Sequence, residues 1–184
     1  FTQGTADSNE VWLEVTARSG AREIGVSGAL ADDGEVDRWA HFVNAWVVDR
    51  EGRRIDRRNA QDIFAVLFDH QIPPGAAAVV HYRLDLPAGL DSPVELAARL
   101  RYRKFDTTFL RHFTGEPERG NDLPIVDIAS DRLLLPVAGR PMEVAGEIAV
   151  PAWERWNDYG IGLLREGGPK VRGALAAARS AFAE

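Results

Sequence analysis

The 184-residue sequence contains zero cysteines, which removes disulfides, thiolate zinc sites, iron–sulfur clusters, a cysteine nucleophile and haem attached through Cys-x-x-Cys-His. Stability has to come from packing. Long apolar runs are missing as well: no stretch approaches the roughly 18–20 residues that crossing a bilayer requires, so no membrane insertion is expected. The start Phe1-Thr2-Gln3-Gly4 lacks the basic-then-apolar order of a leader and has no Met, which reads as a mature or excised piece of a longer protein. Positive charge is in short supply, with 22 Lys and Arg against 28 Asp and Glu; the formal net charge of −6 argues against nucleic acid as a partner. No Gly-x-Ser-x-Gly elbow or Walker sequence occurs. Gly160-Ile161-Gly162 opens like a dinucleotide fingerprint, but Arg165 stands at the third glycine position and the segment reads as helix interior. These glycines are read instead as points of close approach for a neighbouring helix.

What is present is ordinary globular composition, 45% apolar and 27% charged, at a length suited to one domain or one domain with a small appendage. The first eight or nine residues read as a disordered lead-in. From Val11 a period of two sets in: Val11, Leu13, Val15 and Ala17 alternate with Trp12, Glu14, Thr16 and Arg18, and a second run, Ile24 to Leu30, follows the turn at Ser19-Gly20. Phe42 to Val48 is apolar on both faces and is expected as a central strand, and Ile63 to Phe68 is a further apolar run, ended by Ile72-Pro73-Pro74-Gly75. Ala78 to Leu86 and Val94 to Arg103 show the clearest alternation, and weaker candidates lie at 125–129, 132–135 and 144–150. Turn signals recurring between these runs, without helical patterning, predict a mainly β chain: an antiparallel β-sandwich, immunoglobulin-like or related, over residues 10–150.

At Pro151 the period becomes helical. Trp153, Trp156, Gly160, Leu163 and Leu164 share one face, Gly167-Gly168-Pro169 breaks the run, and Val171, Ala174, Leu175, Ala178 and Phe182 share the face of a second helix. Residues 151–184 therefore read as a helical hairpin close in length to one tetratricopeptide unit. Trp153 and Trp156 are its expected packing or partner anchors.

Candidate chemistry is sparse. His41, His70, His81 and His112 lack metal-ligand spacing, and Asp32, Asp33, Glu35 and Asp37 miss the twelve-residue calcium pattern, reading instead as a solvated turn. Arginine is dense at Arg50 to Arg58 and again at Arg99, Arg101, Arg103, Lys104 and Arg111. Such clusters either recognise a carboxylate, a haem propionate or an acidic partner, or form a solvated sheet face that blunts edge pairing. The candidate contact surface is Arg99, Arg101, Arg103 and Lys104 together with His81 and Arg83 on the neighbouring run. A hydrolase or carbohydrate-active reading is the rival, with Asp106, His112 and Asp127 or Asp131 as acid and base; it requires two of them to converge in a cleft.

Three phrases carry a family likeness. Asp49 to Phe64 (DREGRRIDRRNAQDIF), His70 to Ala76 (HQIPPGA) with Val80-His81-Tyr82-Arg83, and Leu100 to Asp106 (LRYRKFD) together resemble the β-rich segment of bacterial multihaem cytochromes c that carry tetratricopeptide repeats. The likeness extends from about Glu10 to Glu184 and is looser in the helices, where Tyr159 replaces the usual Leu. It implies a non-catalytic docking domain of a periplasmic or envelope-associated electron-transfer protein. It also implies a protein partner or a haem-bearing domain of the same parent chain. No cofactor is expected in this segment, the haem c being carried elsewhere in the parent.

Overall fold

The structure, a computed structural model, describes residues 8–137, 150–167 and 174–183. The chain is mainly sheet; among the described residues the strands pair antiparallel and there are three α-helices. It separates into two compact units. The larger contains residues 2–71 and 84–142, and the smaller contains 72–83 and 143–184.

In the larger unit, β1 (Glu10–Ser19) is central because both of its own edges are paired. One edge is shared by β2 (Arg22–Ser27) and the short β3 (His41–Phe42); the other pairs over its whole length with β6 (Val94–Arg103). Beyond β6 lies β7 (Ile125–Leu135), which gives the order β2-β1-β6-β7. The two weak runs at 125–129 and 132–135 are thus one strand, kinked by a bulge: Leu100 faces Ala129 and Arg101 faces Asp127, leaving Ile128 as the extra residue. A separate two-stranded sheet joins β4 (Ala45–Val48) to β5 (Ala65–Asp69). The expected central strand from Phe42 to Val48 is split instead. Val43 N–H donates to Val11 O on one side, and Asn44 O accepts from His70 N–H on the other, so the chain leaves one sheet for the next at this point.

The core does not lie where simple alternation places it. Trp12, Val36 and Ala40 form the buried cluster, with Phe42 and Ile125 packed against it, on the Trp12 side of β1. Loop 28–42 folds across that face and is pinned by Trp12 Nε1–H donating to Gly28 O at 3.1 Å. Gly28 sits at φ +79°, and a Cβ there would meet Leu13 O at 2.7 Å, so the pin needs glycine both for its dihedral and for its closeness. On the opposite face Val11, Ala17 and Val94 are also buried.

A helix the sequence reading did not anticipate, α1 (Thr107–Thr114), follows β6 directly. Asp106 caps it, its Oδ1 accepting from Phe109 N–H at 2.7 Å, and Gly115 ends it in the left-handed region at φ 72°. Its buried face is Phe109 and Leu110.

In the smaller unit, α2 (Ala152–Gly167) and α3 (Ala174–Ala181) pack together, and Gly160 is the point of close approach: a Cβ there would lie 2.6 Å from the Phe182 ring. Leu163, Ala174, Ala178 and Ala181 are buried, whereas Leu164 and Leu175, expected inward, face outward. Ala78–Leu86 forms no strand. Pro73, Pro74 and Gly75 precede it, the adjoining Ala77 O accepts from Arg165 at 3.1 Å, and Ala78 and Val79 pack at Gly162 of α2. Of the expected strand at 144–150, all but Val150 lies outside the described residues, as does most of the expected lead-in; Ser8 is fully buried and accepts from Asp106 N–H.

Candidate functional site

The candidate arginine surface resolves into an ion-pair ladder. Positions 99, 101 and 103 share one face of β6, opposite Glu14, Trp12 and Glu10 of β1. Arg103 is fully buried: Nε and Nη2 both donate to Glu10 Oε2, the former at 2.8 Å, and Nη1 donates to Gly34 O at 2.8 Å and Asn121 O at 3.1 Å. It therefore ties two loops to the sheet and is not part of any contact surface, a correction to the sequence reading. Arg101 donates to Glu14 at 2.6 Å and to Asp127 at 3.0 Å, and Arg99 donates to Glu14. Three guanidiniums thus meet the three carboxylates of Glu10, Glu14 and Asp127, and the stripe carries little unpaired charge. Lys104 is exposed, with Nζ 5.3 Å from the Phe105 ring centre. His81 and Arg83 are exposed on the smaller unit's irregular segment, not on a strand beside β6. Trp153 and Trp156 stand exposed on α2.

The feature that gathers chemistry is a cleft of about 370 Å³ in the larger unit. One wall is an aromatic ladder built by β3, β4 and β5. Trp46 lies 5.8 Å from Phe68, Phe68 lies 4.6 Å from His70, and His70 stacks on His41 at 4.7 Å. The strand pairing Trp46↔Phe68 fixes the first step. His70 Nδ1 lies 3.2 Å from Phe42 O; a carbonyl can only accept, so Nδ1 carries the proton in this contact.

The opposite wall is polar. Arg54 lies with Cζ 4.4 Å above Trp46 and donates through Nη2 to Asp106 Oδ2 at 3.2 Å, so one guanidinium links the aromatic wall to the cap of α1. Burial pushes the Asp106 carboxyl above its usual range, against the opposing pull of the Phe109 N–H and Arg54. Glu10 also lines the cleft, and its burial outweighs Arg103 enough to push the carboxyl up from 4.5 to about 7. Asn44 sits between the walls, almost fully buried, with Oδ1 lacking any hydrogen-bond partner among the described residues.

Sequence reasoning placed Asp106 in its rival catalytic set and found no metal-ligand spacing for His41 and His70. It missed Glu10, Asn44, Trp46 and Phe68. His112, Asp127 and Asp131 do not line the cleft, so the convergence that the catalytic set requires is not seen there. A larger polar hollow of about 670 Å³ runs along residues 49–64, but its arginines are already engaged, Arg53 by Asp49 at 2.8 Å, Arg57 by Asp56 at 3.2 Å, Arg54 by Asp106 and Arg50 over the Phe64 ring. The chain matches no protein-family model, no curated protein and no solved structure.

Proposed function

We propose that this chain is a non-catalytic docking module and that the Trp46–Phe68–His70–His41 cleft is where it receives its partner. The observation that carries this reading is the state of the cleft's ionisable groups. Both Asp106 oxygens are engaged, by the Phe109 N–H and by Arg54, and Glu10 is held by Arg103. What remains for a visitor is the aromatic surface of Trp46, Phe68 and the stacked His70 and His41 rings, which suits recognition better than proton transfer.

The family likeness supplies the partner class. Its three phrases contribute Arg54, His70 and Asp106 to one cleft, although they are far apart in sequence. In this reading the partner is a haem-bearing block of the same envelope-associated parent or a protein docked to it. The two antiparallel sheets are taken as parts of an immunoglobulin-related sandwich, and α2 with α3 as a tetratricopeptide-like unit that presents Trp153 and Trp156 to a neighbour. The test is calorimetric titration of the chain with a c-type haem block of such a parent. Phe68→Ser should weaken association by at least about tenfold while Arg99→Glu leaves it within about threefold. Equal affinity in wild type and Phe68→Ser would overturn the cleft assignment.

The rival is acid chemistry at Glu10, whose carboxyl at about 7 is poised near neutrality. It predicts turnover of a glycosidic or ester substrate that Glu10→Gln abolishes.

A further inference from the structure

The outer edge of β7 is the least protected part of the described sheet. Ten of its eleven residues pair with β6, nothing among the described residues pairs with its other side, ten of the eleven are exposed, and Val126 and Leu133 each keep 55% of their surface in water. A long apolar edge of this kind is a template for another strand, and its sequence says which one.

The bulge at Ile128 determines which side chains share a face. Ile125, Asp127, Ser130, Arg132 and Leu134 lie on the arginine side, opposite Arg103, Arg101, Arg99, Ala97 and Glu95. Val126, Ala129, Asp131, Leu133 and Leu135 lie on the other. Without the bulge, Asp127 and Arg132 would point to opposite faces. With it they are on the same face and symmetrically placed about Ser130.

We propose that β7 is the seam of a twofold dimer, in which the β7 strands of two copies of this chain pair antiparallel with Ser130 opposite Ser130. A twofold axis normal to the sheet keeps each residue on its own face, so opposed residues must share a face. With Ile128 extra in both copies, every pair meets that condition. Asp127 faces Arg132 of the second copy, Ile125 faces Leu134, Val126 faces Leu133, and Ala129 faces Asp131, each pair occurring twice. No like charges are opposed. Asp127 is already held upright by Arg101 at 3.0 Å, and Arg132 lies 3.4 Å from Glu95, so both charges stand on the face where the pair forms. The two five-stranded sheets then become one continuous ten-stranded sheet, and two open edges are removed.

The experiment is sedimentation equilibrium of the full chain. Wild type should show a concentration-dependent species of twice 20.3 kDa. Asp127→Arg alone and Arg132→Asp alone each oppose like charges twice and should weaken the dimer by at least about tenfold. An equimolar mixture of the two variants restores both ion pairs and should dimerise although neither variant does so by itself. That rescue separates lost pairing from lost folding. Because the native chain has zero cysteines, Ser130→Cys supplies a single thiol, which should form an intermolecular disulfide on oxidation while Ala60→Cys does not. A monomer at every soluble concentration, a mixture that stays monomeric, or a dimer unaffected by Asp127→Arg would each overturn the proposal.

Discussion

Replacing Arg103 by Met tests how the larger unit is held together. The substitution keeps much of the volume but leaves the Glu10 carboxylate buried without its cation and removes the donor to Gly34 O and Asn121 O. Breaking one half of a buried ion pair costs about 3–5 kcal/mol, and a buried carbonyl left without a donor adds about 1–3 kcal/mol. The total is a large share of the about 5–15 kcal/mol that a domain of ordinary stability has to lose.

The pH dependence supplies the sharper test. Glu10 is raised from 4.5 to about 7 in the folded wild type, so the folded state binds its proton more tightly than the unfolded chain does. The stability tied to that proton is fully present below 4.5 and is lost as pH rises through about 7, at about 1.4 kcal/mol per pH unit in between. Without Arg103 the carboxyl moves higher still and the loss continues to higher pH. Urea unfolding of wild type, Arg103→Met and Glu10→Met/Arg103→Met at about pH 5 and about pH 8 checks this. Arg103→Met should be worst at the higher pH, and the double variant should recover the carboxylate's share but not that of the two carbonyls. A single-variant penalty below about 1 kcal/mol, or one equal at both pH values, refutes a buried Glu10–Arg103 clamp.

Other substitutions separate the remaining contributions. Asp106→Ala removes the α1 cap and frees Arg54, and should lower stability by about 1–3 kcal/mol in thermal unfolding, whereas Asp106→Asn keeps the cap acceptor and loses less. Gly28→Ala forces a side chain onto Leu13 O at a positive φ and should cost more than Gly52→Ala, where φ is equally positive but no atom lies within 4 Å; equal unfolding midpoints would contradict the close packing of loop 28–42. Arg99→Gln, at a half-exposed position, should change stability by less than about 1 kcal/mol, read by urea titration at low and high salt.

Much of the sheet was legible because period-two alternation reports a strand directly. Val11 to Ala17 and Val94 to Arg103 appear as β1 and β6, paired in the register their opposite charges favour. The same pattern misled at Ala78–Leu86, since alternation describes a surface and not the neighbour that covers it; Ala78 and Val79 meet α2 at Gly162, whereas Leu84 lies over Gly25 of β2 without pairing to it. Helix α1 escaped because eight residues are too short for a clear helical period, though its signal was present in Asp106 as cap and Gly115 as stop.

Local physics therefore determined the elements: alternation gave strands, the switch near Pro151 gave helices, and the lack of cysteine left packing and ion pairs as the means of cohesion. Tertiary structure alone decided what the charged residues do. Arginines at 99, 101 and 103 read as a basic stripe because a sequence displays each charge without its partner. Folding brings Glu10 and Glu14 from some 85–93 positions away, turning the stripe into a neutral ladder with Arg103 sealed inside it. The cleft arose the same way, from residues whose separation along the chain hides the fact that burial and stacking depend on distance in space.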